Sequence, residues 1–347
     1  MTRILFLYTE VAGYFLSSLE ELLKRDTEIL VVKWPVNTEA PFEFDPGSRI
    51  KMAERKSLTD LKLHTLVAEF RPDIIYCSGW IDKGYLDVCK KYTGRIPVIV
   101  GLDNHWKGTI KQHLAALVSG FSIRKIFSHV WIPGEPQREY ARKLGFERDS
   151  TLEGFYTADT TRFLDLGKKY LQAKAMSFPK KFIFVGRYFD FKGVTDLWEA
   201  FSSFKERTGS EWELWCLGTG NIRPVSTTGI SHFGFVQPDR MDRFIRETGV
   251  FVLPSRFEPW GVVVHEFAAA GFPLILSDEV GAGSAFLEDG NNGMKFKAGD
   301  VSELESCLKK MSKFSDEKLA RMGQLSMEAA SYITPETWSD TLLSVLD

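Results

Sequence analysis

The chain of 347 residues is long enough for two domains that each bury a core of their own. Its composition is that of a globular protein, 44% hydrophobic and 26% charged, and a net charge of −2 excludes bulk attraction to nucleic acid. Four widely spaced cysteines without a C-x-x-C pair argue against a zinc site and a disulfide framework. No apolar run reaches membrane-spanning length and the N-terminus does not resemble a signal peptide, so we expect a cytoplasmic protein.

The first half of the chain alternates short apolar runs with helical patterns. The apolar runs predict strands at 4–8, 29–32, 74–77, 98–101 and 126–131. The helical patterns predict helices at 15–24, 58–70, 81–92, 107–117 and 137–144. Continuous apolar strands that alternate with helices are typical of a parallel sheet covered on both faces.

A second series of the same kind follows an irregular stretch at 151–163. Its predicted strands are 182–185, 213–217, 231–235, 250–253, 274–277 and 294–296. Its predicted helices are 170–178, 193–208, 239–248, 261–270, 301–311, 315–332 and 335–346. The repeat predicts an α/β fold of two doubly wound, Rossmann-like domains that face each other across a cleft. Ligands of such sheets bind beyond the carboxyl ends of the strands.

Two cations lie just past the predicted strand 182–185. Arg187 follows Gly186 directly, and Lys192 opens the next predicted helix. An arginine fork and a lysine point charge at a strand end suit a diphosphate ligand. A solvated basic turn would explain an isolated pair of this kind better.

The stretch Pro254–Gly271 is the tail of a strand, a turn and a helix. A helix start presents unpaired backbone N–H groups and the positive end of the helix dipole, which favours an anion. Two carboxylates flank this start, Glu258 in the turn and Glu266 on the helix. The alternative is a strand–turn–helix unit in which Glu258 only favours the helix start.

Two further strand ends carry weaker signals. Gly218 opens a tight turn after the strand 213–217, where backbone could approach a ligand closely, although a simple turn explains it too. Phe235 and Val236 end the predicted strand 231–235, which could hold a flat base.

Together, in this order, these features resemble the retaining glycosyltransferases of family 4, which have the GT-B fold. The likeness is good over about 182–296 and loose in the first half. Its core is an E-x7-E signature, Glu258 and Glu266, which begins Glu-Pro-Trp-Gly at 258–261. The runs SDEVGA and EDGNNG downstream are also similar, and Arg187 and Lys192 stand in the expected order.

The resemblance implies a role for each matching residue. Arg187 and Lys192 bind the donor diphosphate, Glu258 contacts the hydroxyls of the donor sugar, and Glu266 accepts bonds from the ribose. The remaining donor-binding positions implied by the likeness are Gly13, Gly186, Gly218, Phe235, Val236, Trp260, Gly261, Val262 and Val263.

The first half matches the family less closely. Its loop Glu10–Tyr14 carries one glycine, Gly13, where many relatives have two. His105, in GLDNHWKG, matches a histidine that often reaches the donor sugar, and an ordinary surface-loop histidine is the alternative. The likeness places the acceptor-side domain at 1–160 and the nucleotide-sugar domain at 161–334, with helix 335–347 packed back on the first.

The implied reaction moves a sugar from a nucleotide diphosphate sugar to an acceptor hydroxyl with retention of configuration, in glycan or polysaccharide biosynthesis. UDP is favoured over GDP. No D-x-D pair occurs in the chain, so we expect no metal and no cofactor, with the diphosphate held by the protein's own cations. A phosphorylase or sugar-nucleotide epimerase of the same fold, or a non-catalytic sugar-nucleotide-binding protein, is the alternative.

The expected partners are the nucleotide sugar and a glycan or lipid-linked acceptor. The segment Lys107–Phe127 mixes cations with large apolar residues and could rest on an anionic bilayer at the inner face of the membrane. An ordinary amphipathic surface helix is the alternative.

Overall fold

The computed structural model describes residues 1–9, 11–35 and 49–347, and they form two compact units. One unit contains the described residues up to Thr157 together with Ile333–Asp347, and the other contains Ala158–Tyr332. The predicted divisions, after 160 and after 334, lie slightly further along the chain. Glu10 of the predicted first loop falls outside the described residues.

The first unit alternates strands and helices along the chain. Its strands are β1 (Thr2–Tyr8), β2 (Thr27–Lys33), β3 (Ile50–Glu54), β4 (Ile74–Cys77), β5 (Val98–Gly101), β6 (His129–Trp131) and β7 (Thr151–Leu152). Its helices up to β7 are α1 (Gly13–Leu22), α2 (Asp60–Phe70), α3 (Lys83–Tyr92), α4 (Ile110–Ser119), α5 (Ile123–Ile126) and α6 (Glu135–Lys143).

The described strands of this unit form one parallel sheet in the order β3-β2-β1-β4-β5-β6-β7. Successive side chains of β1 enter two different cores: Ile4 and Phe6 pack on one side of the sheet, and Leu5 and Leu7 on the other. Both faces are therefore covered, which explains why the strand is apolar and buried from Ile4 to Tyr8.

The second unit repeats the pattern. Its strands are β8 (Lys181–Val185), β9 (Glu213–Leu217), β10 (Ile230–His232), β11 (Val250–Leu253), β12 (Leu274–Ser277) and β13 (Gly293–Phe296). Its helices are α7 (Thr160–Met176), α8 (Val194–Thr208), α9 (Asp242–Glu247), α10 (Val262–Ala269), α11 (Gly283–Phe286), α12 (Val301–Met311) and α13 (Asp316–Ala330). The parallel strand order is β10-β9-β8-β11-β12-β13.

Both sheets confirm the predicted doubly wound fold. In each, the chain moves outward from the first strand to one edge, then returns to the other side of that strand. This reversal lies between β1 and β4 in the first unit and between β8 and β11 in the second. Such a switch point leaves a crevice at the carboxyl ends of the two strands, where ligands of open α/β sheets bind.

The last helix, α14 (Pro335–Leu343), belongs to the first unit and packs against α1. Trp338 on this helix is buried, and its indole Nε1 donates to the carbonyl oxygen of Phe155 at 2.8 Å. Its ring lies 4.8 Å from that of Trp131, and Arg25 pairs with Asp340 at 3.0 Å. The helix thus completes the aromatic core on one face of the first sheet.

Several predicted elements were wrong in position. The edge strand β3 was missed, because only Ile50 of its residues is buried and the apolar signal is weak. The irregular stretch predicted at 151–163 contains β7 and the start of α7, which Asp159 caps by accepting the N–H of Arg162 at 3.2 Å. Residues 123–126 form a helical turn, so β6 begins at His129 instead of at 126.

Candidate active site

The predicted site residues of the second half gather at the switch point of the second sheet. Gly186 and Arg187 directly follow β8, and Pro254–Gly261 follow β11, its neighbour on the other side of the reversal. Lys192 ends a 3-10 turn at Asp190–Lys192, just before α8. Motifs that are far apart in the sequence therefore lie together at one edge of one sheet.

The centre of this edge is an ion pair between Lys192 and Glu258. The Lys192 ammonium contacts Glu258 Oε2, and both side chains are largely buried, with 14% and 12% of their surface exposed. Ser255 Oγ also donates to Glu258 Oε2 at 3.4 Å. The carbonyl oxygen of Ser255 in turn accepts a hydrogen bond from Ser277 Oγ at 2.5 Å. Two residues with separate predicted roles thus hold each other in the folded chain.

A second polar cluster, which the sequence analysis missed, joins the loops that carry Lys192 and Glu258. The carbonyl oxygen of Phe191 accepts the N–H groups of Arg256 and Phe257 at 2.8 and 3.1 Å. The guanidinium of Arg256 donates to both carboxylate oxygens of Asp196, at 2.7 and 2.9 Å, and to both of Asp190, at 2.9 and 3.1 Å. The only signal in the sequence was opposite charge in the two motif segments.

Close backbone contacts make two glycines necessary here. Gly193 has φ +64°, and a Cβ on it would lie 2.1 Å from the carbonyl oxygen of Pro254. Gly218 has φ +143°, and a Cβ there would lie 1.9 Å from the carbonyl oxygen of Gly186. The turns after β8, β9 and β11 can approach one another only because these positions lack a side chain.

Aromatic rings surround the predicted cations. The Arg187 guanidinium carbon lies 5.6 and 5.8 Å from the ring centres of Phe189 and Phe191, and Lys192 Nζ lies 5.6 Å from the ring centre of Phe191. Phe189 and Phe191 stack on each other at 5.7 Å. Contact with the same ring, Phe191, therefore brings the two cations to one place.

The turn that carries Glu258 is held by the loop after β12. The N–H of Glu258 donates to the carbonyl oxygen of Glu279 at 3.2 Å, and its own carbonyl oxygen accepts the N–H of Gly281 at 3.0 Å. The carbonyl oxygen of Trp260 accepts the N–H of Ala282 at 2.9 Å. The Trp260 side chain is buried, and its indole N–H has no hydrogen-bond partner in the part of the chain that is described.

The helix α10 begins at Val262, one residue beyond the predicted start. Gly261 occupies the N-cap position with φ +96°, and no side chain among residues 49–347 caps the helix. Its first turn has no acidic residue. Val262 and Val263 are partly exposed, so their backbone N–H groups lie at an uncapped, positive helix end that favours an anion.

Glu266 lies four residues into α10, near the start of α7. Removal from water raises the pKa of Glu266 to about 7, and the negative charge of Asp159 adds to the effect, while Arg162 opposes it. The carboxylate thus changes charge near neutral pH. A ligand that donates hydrogen bonds to it would favour its ionised form.

The neighbouring His265 is a packed residue. Its Nδ1 accepts the N–H of Ala158 at 3.0 Å, which leaves Nε2 to donate to the carbonyl oxygen of Ala330 at 3.0 Å. The ring stacks on Phe286 at 4.3 Å, and burial lowers the pKa of His265 to about 4. The histidine is neutral at physiological pH.

The predicted base-binding segment differs from the prediction. The strand predicted at 231–235 ends at His232, because Gly234 turns with φ +71° and its carbonyl oxygen accepts the N–H of Gly218 at 2.7 Å. Phe235 and Val236 lie in the following loop and are partly exposed. They stand beside the turn of Gly218, on the outer side of the switch point.

The first unit carries the other two predicted residues. Gly13 is the first residue of α1, after the loop that follows β1. His105 lies in the loop after β5, where its carbonyl oxygen accepts a bond from Gln112 Nε2 at 2.8 Å. Within residues 1–9, 11–35 and 49–347, no cluster of three or more His, Cys, Asp or Glu side chains could hold a metal ion.

Residues 179–313 match the family model described as glycosyl transferases group 1. Among curated proteins, an uncharacterised glycosyltransferase of Methanocaldococcus jannaschii is 33% identical over 107 residues, 28% of this chain and 27% of that protein. A glycogen synthase of Mycobacterium tuberculosis is 29% identical over 140 residues, 38% of this chain and 33% of that protein. The alignments thus leave most of both relatives unmatched.

Solved structures resemble the whole chain at low identity. HepE of Anabaena in complex with UDP-glucose has a TM-score of 0.73 at 15% identity, and the superposition covers 100% of this chain and 99% of the HepE chain. Sucrose-phosphate synthase of Thermosynechococcus elongatus has a TM-score of 0.69 at 16% identity, with 100% and 98% covered. A trehalose-6-phosphate synthase has a TM-score of 0.73 at 12% identity, with 99% and 98% covered. The chain has their GT-B fold.

Proposed function

We propose that this chain is a retaining glycosyltransferase, of the family 4 kind, that moves a sugar from a nucleotide diphosphate sugar to an acceptor hydroxyl. The observation that carries the proposal is the cluster at the β8–β11 switch point. There, Arg187, Lys192 and the uncapped start of α10 are collected at one sheet edge. This is a site for a ligand with two or more negative charges.

In the free protein, the ammonium of Lys192 pairs with Glu258. In the proposal, the donor diphosphate replaces Glu258 as the partner of this ammonium. Glu258, once released, accepts hydrogen bonds from hydroxyls of the transferred sugar. Glu266 accepts those of the ribose, and Phe235 and Val236 contact the base through their backbone. The ion pair keeps both side chains in place before the donor arrives, so little reorganisation accompanies binding.

The chemical task is to stabilise the negative charge of the departing nucleoside diphosphate. The bond between the anomeric carbon and the phosphate oxygen breaks, and the bond to the acceptor oxygen forms on the same face. The acceptor's proton passes to the departing phosphate oxygen. Arg187, Lys192 and the N–H groups of α10 act electrostatically, and one such preorganised donor contributes about 3–4 kcal/mol.

The choice of UDP over GDP, and of a metal-independent reaction, is part of the proposal. HepE is known in complex with UDP-glucose, and the trehalose-6-phosphate synthase in connection with glycosyl transfer with retention. The absence of a D-x-D pair and the presence of two cations at the diphosphate position favour charge neutralisation by the protein itself. The acceptor is a glycan or a lipid-linked sugar, in polysaccharide biosynthesis in the cytoplasm.

Thermal unfolding with nucleotides tests the proposal. UDP or a UDP-sugar at about 100 times its dissociation constant should add about 2.7 kcal/mol of stability and raise the melting temperature by several degrees. GDP should shift it less. Arg187→Ala should reduce the shift, whereas Lys309→Ala, an exposed lysine on α12, should leave it unchanged. No shift with any nucleotide diphosphate or its sugar contradicts the proposal.

Product analysis then separates the reactions that share this fold. A transferase releases nucleoside diphosphate and needs an acceptor for full turnover. Conversion of the donor sugar without an acceptor indicates an epimerase, and phosphate-dependent release of a sugar phosphate indicates a phosphorylase. Donor binding without any turnover, including slow hydrolysis, indicates a non-catalytic binding protein.

A further inference from the structure

Helix α4 of the first unit exposes its large apolar residues and turns its small ones inward. Ala115 packs against the core, and Ser119 is buried, with its hydroxyl donating to the carbonyl oxygen of Leu144 at 2.6 Å. The solvent side carries a stripe that we name the α4 face: Ile110 (79% exposed), Leu114 (57%), Leu117 (77%), Val118 (51%) and Phe121 (88%). A surface helix normally turns such a stripe toward the core.

This stripe differs from the other exposed apolar residues of the chain. Leu61 on α2, Ile81 in the loop before α3 and Met176 at the end of α7 are also highly exposed, but they are isolated, and isolated residues of this kind are ordinary. Five large side chains on one helix and the turn that follows form a continuous patch. Contiguous patches of this kind mark interaction surfaces.

The chain segment that carries the patch has charged residues of one sign. Residues 104–134 contain four Lys and Arg and no Asp or Glu, although the whole chain has 44 of the former and 46 of the latter. Lys111 and Lys125 are exposed beside the stripe. Arg124 is partly committed, because it donates to the carbonyl oxygens of Phe127 and Ser128 at 2.9 and 3.2 Å. The partner of the α4 face is therefore apolar and negatively charged.

We propose that the α4 face docks this protein on the anionic surface of a lipid bilayer. Apolar side chains enter the boundary between headgroups and acyl chains, and the lysines contact anionic headgroups. No helix of the described residues is long and apolar enough to cross a bilayer, so the contact is peripheral. A second copy of the chain fits less well, because a two-fold contact would place equal cations opposite each other.

The proposal concerns a different part of the molecule from the donor site. It does not rest on the proposed glycosyl transfer, because lipid binding needs neither nucleotide nor acceptor. If both proposals hold, the docked α4 face would keep the first unit at the membrane surface, where a lipid-linked hydroxyl acceptor lies.

Sedimentation with vesicles tests the docking. Phosphatidylcholine vesicles with about 30% phosphatidylglycerol should bind the full chain, and pure phosphatidylcholine should bind it at least about tenfold more weakly. Lys111→Glu should weaken binding to the anionic vesicles by roughly fivefold or more, since each cation near the surface contributes about that factor. The double variant Leu117→Ser/Phe121→Ser should lose at least about tenfold.

Leu61→Ser is the matched control, because Leu61 is 78% exposed on α2, outside the patch. It should bind vesicles as the unchanged chain does. All these side chains are exposed, so the melting temperatures of the variants should lie within about 2 °C of that of the unchanged chain.

Several results overturn the docking proposal. They are absence of binding to either vesicle, equal binding to both, and full binding by Leu117→Ser/Phe121→Ser. A concentration-dependent dimer, seen by light scattering and lost in that double variant, assigns the α4 face to a second copy instead. Nucleotide-induced thermal shifts without vesicles separate a failure of this proposal from a failure of the glycosyltransferase proposal.

Discussion

The two sheets share a topology but differ in what they place at the switch point. At the carboxyl ends of β8 and β11, Lys192 pairs with Glu258, and Arg256 with Asp190 and Asp196. At the corresponding ends of β1 and β4, the contacts include a hydroxyl pair, Ser78 Oγ to Thr9 Oγ1 at 3.2 Å, and aromatic packing. Tyr8 stacks on Phe15 there at 4.1 Å.

This difference separates what a fold provides from what a site requires. The strand order leaves a crevice at both reversals. Among residues 1–9, 11–35 and 49–347, the edge of the second unit brings together cations, carboxylates and an uncapped helix start, which suit a charged ligand. The first edge has the hydroxyl pair of Ser78 and Thr9, and the stacked rings of Tyr8 and Phe15 beside it are buried. We expect the chemistry to depend on the second edge far more than on the first.

The largest expected effect comes from the cations of the second edge. Arg187→Ala and Lys192→Ala should each lower turnover about 100- to 1,000-fold, because each removes charge stabilisation of the departing diphosphate. Ser78→Ala, at the first edge, should stay within about twofold, as loss of one exchangeable hydroxyl bond costs little. Steady-state kinetics with a UDP-sugar measures both. Unchanged turnover in the two cation variants would contradict the proposed role of Arg187 and Lys192 in stabilising the departing diphosphate.

Lys192→Ala also leaves Glu258 buried without its partner, so it should lower the free energy of unfolding by about 1–3 kcal/mol. The double variant Lys192→Ala/Glu258→Gln should recover part of this stability, because the unpaired charge is gone, but none of the turnover. Urea unfolding separates the structural role of the pair from its chemical one. If the double variant is no more stable than Lys192→Ala, the pair does not stabilise the free protein.

The backbone contacts of the second edge predict the next effect. Gly193→Ala and Gly209→Ala both place a side chain at φ near +60°, which costs about 1–2 kcal/mol. Gly209 has open space, whereas a Cβ on Gly193 meets the carbonyl oxygen of Pro254. Gly193→Ala should therefore be clearly more destabilising in urea unfolding, and should weaken UDP binding as well. Equal losses would mean that the loops after β8 and β11 are not locked together.

A pH dependence should come from Glu266. Its pKa of about 7 in the folded chain exceeds the ordinary value of 4.5, so the folded state holds this proton between those values and the unfolded state does not. Glu266 therefore makes stability fall as pH rises from 4.5 to 7, with no further loss above. Unfolding at pH 5, 6, 7 and 8 should show a smaller decrease in Glu266→Gln than in the exposed control Glu199→Gln. The same slope in both variants contradicts this assignment.

The smallest effect is expected in the first unit. The family resemblance gives His105 one hydrogen bond to the donor sugar, and loss of such a bond costs roughly three- to tenfold in turnover. His105→Ala should show this loss with unchanged UDP affinity, measured by titration with UDP. A loss as large as that of Arg187→Ala would mean that the two units contribute equally to the chemistry.

The sequence predicted the second unit better than the first. The strands β8, β9, β11 and β12 and the helix α10 lie within one residue of their predicted places, because their apolar runs are buried on both faces. The sequence did not predict the strand β3, because little of it is buried. It also did not predict the start of α7, because that start depends on a single side-chain cap. The clustering of Arg187, Lys192 and Glu258 at one edge follows from strand order alone.

The sequence by itself determined the alternation of strands and helices, the two-unit repeat and the motif residues, because these are local patterns along the chain. Only the tertiary structure decided that Lys192 pairs with Glu258, that Arg256 braces their loops, and that α4 turns its large residues outward. Lys192 and Glu258 are 66 positions apart. Such contacts depend on which strand ends become neighbours and on which helix face the core accepts, and the spacing of residues within a motif contains neither.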